Sequence, residues 1–302
     1  MRLRALLLAP VLVLCSVVAV AYGGSEKPDV AGLIGSSLRA ASQQSDLKVH
    51  YSVNATVDAT PSAQASDETR RFLSHPVRLS ASGGLSSDAV TIAGDVAFRG
   101  HTYRAQALLG KRETYINLLG SWYGDKTKGL DDAQDAASAK SDSKADPDDL
   151  KKTLRWVYDH SDEVLDAAVT QGPDIDGKTW QAKGHCRPAA VVELAQRNGE
   201  HVTPTDRKGI EQFCRVTELT YVIGADDELP REIRIAADLD KQTLAELSAA
   251  NGEVNELDRL RLALDVKLTN WGEDVKYAAP SNPKPIEDLG TAVFGLLLQA
   301  AA

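Results

Sequence analysis

Catalytic signatures are what this chain most plainly lacks. Its 302 residues hold no glycine-rich loop opening a helix, no G-x-S-x-G elbow and no H-E-x-x-H pair. The phosphate cradle, the esterase nucleophile and the helix-borne zinc site therefore have nothing to stand on. The six histidines, His50, His75, His101, His160, His185 and His201, are dispersed along the chain. Paired carboxylates occur at Asp131-Asp132 and Asp148-Asp149, within a hydrophilic stretch where nothing would raise a pKa. The expectation is a protein that is not an enzyme and needs no cofactor and no metal.

Long apolar runs are also missing, with one exception. Arg2 and Arg4 precede an apolar run from Ala5 to Tyr22, and Ala19-Val20-Ala21 supplies a small-x-small cleavage site. Residues 1–21 read as a secretory signal peptide. The alternative is an uncleaved N-terminal anchor, because the run just reaches spanning length. Cys15 lies in this run, but Leu14 precedes it where a lipidation site wants a small residue, and the run continues beyond it.

Positive charge is short too. Without residues 1–21, which hold two arginines, 32 basic residues face 43 acidic ones, a net charge of −11. The chain as a whole has no electrostatic reason to bind nucleic acid or an anionic bilayer. Cysteine is reduced to Cys186 and Cys214 once the leader is set aside. An isolated pair in an exported chain is most simply a disulfide, with two buried thiols as the alternative. Two cysteines alone are too few for a structural zinc site.

What is present is alternation. Leu260, Leu262, Leu264, Val266 and Leu268 alternate with Arg261, Ala263, Asp265, Lys267 and Thr269. A period of two over ten residues predicts a strand with one buried and one solvated face. After Trp271-Gly272 a second alternating run, Val275, Tyr277 and Ala279, predicts a partner strand and a hairpin. Leu47–Val57 alternates likewise, and Val77–Leu85, Val90–Phe98, Thr102–Leu109 and Glu113–Leu119 follow with short turns, which predicts an antiparallel meander. Further strands are expected at Thr179–Cys186, Glu218–Ile223 and Glu232–Leu239.

Helices are expected over Val30–Gln43, over a stretch opening at Asp146-Pro147 that carries Leu150, Leu154 and Val157 and then Val164, Leu165 and Ala168, over Pro188–Asn198, over Thr205–Cys214, and over Ile286–Gln299. Ala59–Glu68 reads as a hairpin loop, Asn251–Asn255 as a polar loop, and residues 125–149 as a mobile acidic insertion. Helices that cluster at the start, middle and end exclude a βαβ repeat. The expected architecture is α+β: residues 29–302 as a single domain, with one long curved antiparallel sheet, a half-barrel of about ten strands, wrapped around helices.

The inner face of that sheet would carry Val49, Tyr51, Val53, Val96, Phe98, Leu264, Val266 and Leu268 beside small residues, among them Ala81, Gly83, Gly94, Ala105, Ala107, Ala182 and Gly184. A long curved sheet lined by small and aliphatic groups can enclose an apolar cavity that accepts hydrocarbon. Small residues equally let a helix pack closely, so the face does not decide between a cavity and a filled core.

The order of elements, with Thr179-Trp180-Gln181-Ala182-Lys183-Gly184, Leu229-Pro230-Arg231-Glu232-Ile233 and Leu268-Thr269-Asn270-Trp271-Gly272 ahead of Ala279-Pro280-Ser281, resembles the actinobacterial LppX/LprG-type lipoproteins and, more distantly, the LolA and LolB lipoprotein carriers. The resemblance implies a half-barrel with a cavity for acyl chains of lipids, glycolipids or lipoproteins, working outside the cytoplasmic membrane. Val49, Tyr51, Val53, Val96, Phe98, Ala105, Ala107, Leu264, Val266 and Leu268 are the expected cavity lining. Partners would be those acyl chains and a membrane-embedded donor or acceptor protein, with the carrier itself a monomer. This chain departs from the lipoprotein members in lacking a usable lipidation cysteine. The alternative from another class is a cell-surface structural or interaction module on the same fold, with no ligand.

Overall fold

The computed structural model of the chain describes residues 29–42, 48–118, 120–126, 129, 156, 160, 165–197, 201–251 and 256–289. The expected leader, nearly all of the acidic insertion, most of the helical stretch around Leu150–Val157 and the C-terminal helix past residue 289 lie outside the described residues.

The described strands are β1 (Lys48–Pro61), β2 (Val77–Ser86), β3 (Ala89–Phe98), β4 (His101–Gly110), β5 (Thr114–Leu118), β6 (Ser121–Asp125), β7 (Leu165–Gln171), β8 (Thr179–Cys186), β9 (Thr217–Gly224), β10 (Pro230–Asp240), β11 (Leu257–Thr269) and β12 (Lys284–Pro285). All twelve belong to one open sheet in the order β12-β6-β5-β4-β3-β2-β1-β11-β10-β9-β8-β7. Every pairing is antiparallel except the two-residue contact of β12 with β6. The described helices are α1 (Val30–Ser42), α2 (Asp67–Phe72), α3 (Pro188–Arg197), α4 (Pro204–Val216) and α5 (Lys241–Asn251). The fold is α+β with a single long antiparallel sheet, as the alternation predicts.

Local chemistry sets the elements. Asp29 Oδ1 accepts from the Gly32 N–H at 2.6 Å and starts α1. Thr203 and Asp206 form a reciprocal capping box ahead of α4. The β3–β4 link is the two-residue turn Arg99-Gly100, both at positive φ (51° and 77°), the backbone hand that matches strand twist.

Register gives the sheet two faces of opposite character. One row runs Val266–Val53–Ala81–Gly94–Ala105–Leu118, and the next apolar row runs Leu268–Tyr51–Gly83–Ile92–Ala107–Ile116. The rows between them carry Lys267, Ser52, Ser82, Ala93, Gln106 and Asn117 on the other face. Helices lie on the apolar face over one half of the sheet. Leu33 of α1 packs with Val169, Ala182 and Ile223, and Leu244 of α5 packs with Ala237 and Leu239. Ser37 and the half-buried Tyr221 share a hydrogen bond of 2.6 Å, and desolvation pushes the Tyr221 phenol up to about 12. Cys186 and Cys214 form the expected disulfide, joining β8 to α4 with a Cα–Cα distance of 5.0 Å.

Three expectations differ from what is found, and two elements, α5 and β6, are found where none was expected. Leu165 and Ala168 sit in the edge strand β7, not in a helix. Leu165, Ala167 and Val169 also fit a period of two, and seven ladder partners on β8 decide between the periods. Lys241–Asn251 is helical, with Asp240 Oδ1 accepting from the Thr243 N–H at 2.8 Å. The expected hairpin loop at Ala59–Glu68 is instead the end of β1 followed by α2, which Ser66 caps through the Thr69 N–H. Trp122-Tyr123-Gly124 extends the sheet as β6.

The third differing expectation concerns Val275, Tyr277 and Ala279, which form no strand. The chain leaves β11 at Asn270 and crosses the polar face transversely until β12 meets β6. The Gly272 N–H donates to Lys48 O at 2.9 Å, and Lys48 Nζ meets Asp274 Oδ1 at 2.8 Å. Three glycines mark the crossing. A methyl built on Gly84 would stand 2.8 Å from both Cγ atoms of Val275. On Gly110 it would stand 3.3 Å from the Tyr277 ring, and on Gly124 it would lie 3.2 Å from Pro283. Beneath the strap Tyr115 is only 1% exposed and donates to Glu113 Oε2 at 2.8 Å. Alternation along 275–277 is real, but it records contact with a sheet below rather than membership of one.

Candidate functional site

The ten expected lining residues, Val49, Tyr51, Val53, Val96, Phe98, Ala105, Ala107, Leu264, Val266 and Leu268, all fall on the apolar face, on β1, β3, β4 and β11. Their surroundings differ. Val49 and Val266 are buried, whereas Tyr51, Val53, Phe98, Ala107, Leu264 and Leu268 are half-buried. Val96 and Ala105 are exposed. The Tyr51 hydroxyl donates to Thr91 O at 2.9 Å, and partial burial holds its pKa above the ordinary tyrosine value.

Among the described strands, uncovered apolar surface is concentrated on β1–β3. Val57 is 41% exposed, Leu79 39%, Ile92 38% and Val96 38%, all on this one face. Leu79 pairs with Val96, which in turn pairs with Tyr103, and Val57 pairs with Val77 on the adjacent strand. The described helices α1, α3, α4 and α5 sit instead over β7–β11. The sheet is thus covered on one half and open, among the described residues, on the other. Val57, Leu79 and Ile92 were not among the expected lining residues. The same period of two that selects Val53 and Val96 selects them as well.

Small residues on this face have more than one cause. Ala182 is buried directly under Leu33, so there a small side chain lets a helix approach. At Gly83 and Gly94 the neighbouring strand comes too close for a side chain. A methyl on Gly83 would overlap Thr91 O, and one on Gly94 would stand 2.7 Å from Ser80 O. Strong coiling of β2 against β3 is the direct reading of both contacts.

On the polar face, Glu232 is fully buried and paired with Arg234 and, at 3.7 Å, with Lys267 Nζ. Burial and the neighbouring Glu232 carboxylate hold Asp265 above the ordinary carboxylate range. Among the described residues no three His, Cys, Asp or Glu side chains come together as metal donors. The two motifs that end β11 and open β10 touch: Trp271 Nε1 donates to Pro230 O at 3.0 Å.

This chain is similar in structure to LprF. The match is to the crystal structure of LprF from Mycobacterium bovis, at 16% sequence identity, covering 86% of this chain and all of that one, with a TM-score of 0.38. No protein-family model matches the sequence, and no curated protein matches it.

Proposed function

We propose that the protein is an exported lipid-binding or lipid-carrying protein that holds acyl chains against the open apolar half of its sheet, without covalent chemistry of its own. The observation that carries this reading is the contiguous exposure of Val57, Leu79, Ile92 and Val96 on one face, beside a half that helices have sealed. Exposed apolar surface of this continuity marks a binding surface rather than solvated exterior. Each methylene moved from water onto it contributes about 0.8 kcal/mol, so a fatty chain needs no polar anchor to be retained. The disulfide suits an extracytoplasmic site of action.

Lipid extraction and mass spectrometry of protein purified from a lipid-containing host should return bound acyl lipid. Leu79→Asp and Val96→Asp place charge on the open face without emptying a packed core. Each should weaken uptake of a fluorescent fatty acid by about tenfold or more, the cost of desolvating a carboxylate against hydrocarbon. Protein that carries no lipid, binds no fluorescent fatty acid and is indifferent to both substitutions would instead be an interaction module.

A further inference from the structure

The open face has two ends, and they differ. At one of them Tyr51 of β1 pairs with Gly83 of β2, which pairs with Ile92 of β3. The Tyr51 hydroxyl donates to Thr91 O of β3 at 2.9 Å, so the ring lies across β2 instead of standing up from β1. Gly83 leaves room for that posture, because a methyl there would stand 2.9 Å from the Tyr51 oxygen. Coverage changes at this bar. On one side of it Val49 is buried, and on the other Leu79 and Val96 are exposed.

The other end is the tip where α2 joins β1 to β2 and where β3 turns into β4. Phe72 of α2, 45% exposed, meets Phe98 of β3 edge-on, with ring centroids 5.2 Å apart. The turn beyond Phe98 is Arg99-Gly100-His101, with Gly100 and His101 exposed, so the rim at this end is polar. From Ile92 to Phe98 is about 20 Å of strand. On this face of β2 and β3 the stretch carries Ala81 and Gly94 as one pair and Leu79 and Val96 as the next. No side chain along it is polar.

We propose that this stretch measures one acyl chain. The methyl end stops against the Tyr51 ring, the chain lies along β2 and β3, and its head leaves past Phe72 and Phe98 into water. The inference rests on the lipid-binding reading and adds to it the length and the orientation of the chain. A bilayer core of about 30 Å holds two chains end to end, about 15 Å each, so one chain of membrane length fits between bar and rim. The reverse orientation would set a charged head among apolar groups, beside a hydroxyl whose proton is already given to Thr91 O.

Displacement of a bound fluorescent fatty acid by saturated fatty acids of increasing length is the test. Affinity should rise about fourfold per added methylene while the chain still lengthens within the trough. It should then flatten once further methylenes stand beyond Phe72, with the break at membrane chain lengths, about 14 to 18 carbons. Ala81→Phe sets a ring two residues nearer the rim, about 7 Å, and should move the break to chains shorter by about a third. Tyr51→Ala removes the stop and should move the break to longer chains, whereas Tyr51→Phe keeps the ring and should leave it in place. Ala81→Phe adds a side chain to uncovered surface, so it remains readable even if Tyr51→Ala fails to fold. A steady rise without a break, or a break that neither Ala81→Phe nor Tyr51→Ala moves, overturns the measuring role and leaves acyl binding standing. Protein that takes up neither the probe nor any fatty acid of the series overturns the carrier reading and this inference with it.

Discussion

At Gly84 one missing side chain decides a long-range contact. It lies on the polar face, paired with His50 and Thr91, where a larger residue would be unremarkable in an ordinary solvated strand. Here Val275 occupies the space, and a methyl would stand 2.8 Å from both its terminal carbons. Gly84→Ala should therefore destabilise the protein by roughly 1–3 kcal/mol through overpacking. In a Val275→Ala background the same change should cost markedly less, and a double-mutant cycle from urea melts reads that coupling directly. Equal costs in both backgrounds would mean that the strap does not press on β2. Nothing near Gly84 in sequence announces this, because the residue it makes room for is 191 positions away.

At the scale of elements, legibility followed the source of each element's stability. Strands whose two faces differ could be read from alternation alone, which is why β1–β4 and β8–β11 lie within a few residues of their expected bounds. β7 could not, since Leu165–Val169 fits both periods and only its partner β8 settles the matter. α5 carries a weak apolar stripe, and its signal was the Asp240 cap followed by Leu244. The segment 275–277 alternates as a strand does, yet it crosses strands and joins none at those positions. Pairing of Cys186 with Cys214 was legible from the count of cysteines. That bridge closes a separation of 28 residues and ties β8 to α4. Replacing both cysteines by alanine should lower unfolding free energy by about 3–4 kcal/mol on the loop-entropy account, read as the shift in urea midpoint.

For the molecule as a whole, charge pairing predicts a stability plateau with a shoulder at each end. Asp206 is held below its usual range first by the Thr203 backbone N–H, Asp238 by Arg259, and Asp240 by the Thr243 N–H. Stability from these depressed carboxylates is present above their unfolded pKa and is lost as pH falls through the folded one, so it declines below about 4. Asp265, raised by burial and by Glu232, works in the opposite sense, giving its stability below its unfolded pKa and losing it as pH rises. Three groups against one leave a net acid loss. Burial raises Tyr115 and Tyr221, as it does Tyr277 with Glu113 beside it. Their contribution is complete below about 10 and falls as pH climbs through the folded values. Thermal melts across pH should be flat between about 5 and 9 and fall at both ends. A maximum near pH 4 would show that Asp265 outweighs the other three.

The whole-molecule plan was legible because one strand pattern repeats along most of the chain. Which half of the apolar face is open among the described residues was not, because helices and strands share the same aliphatic residues, and coverage depends on where α1 and α5 are delivered. The transverse strap has a temporal side as well. Residues 48–125 precede residues 271–285 in the chain, so all six of the first strands are available to fold before the segment that clamps five of them from outside. Burial of Tyr115 depends on Tyr277, 162 residues further along the chain, and its disappearance from solvent would time the final closure of the fold.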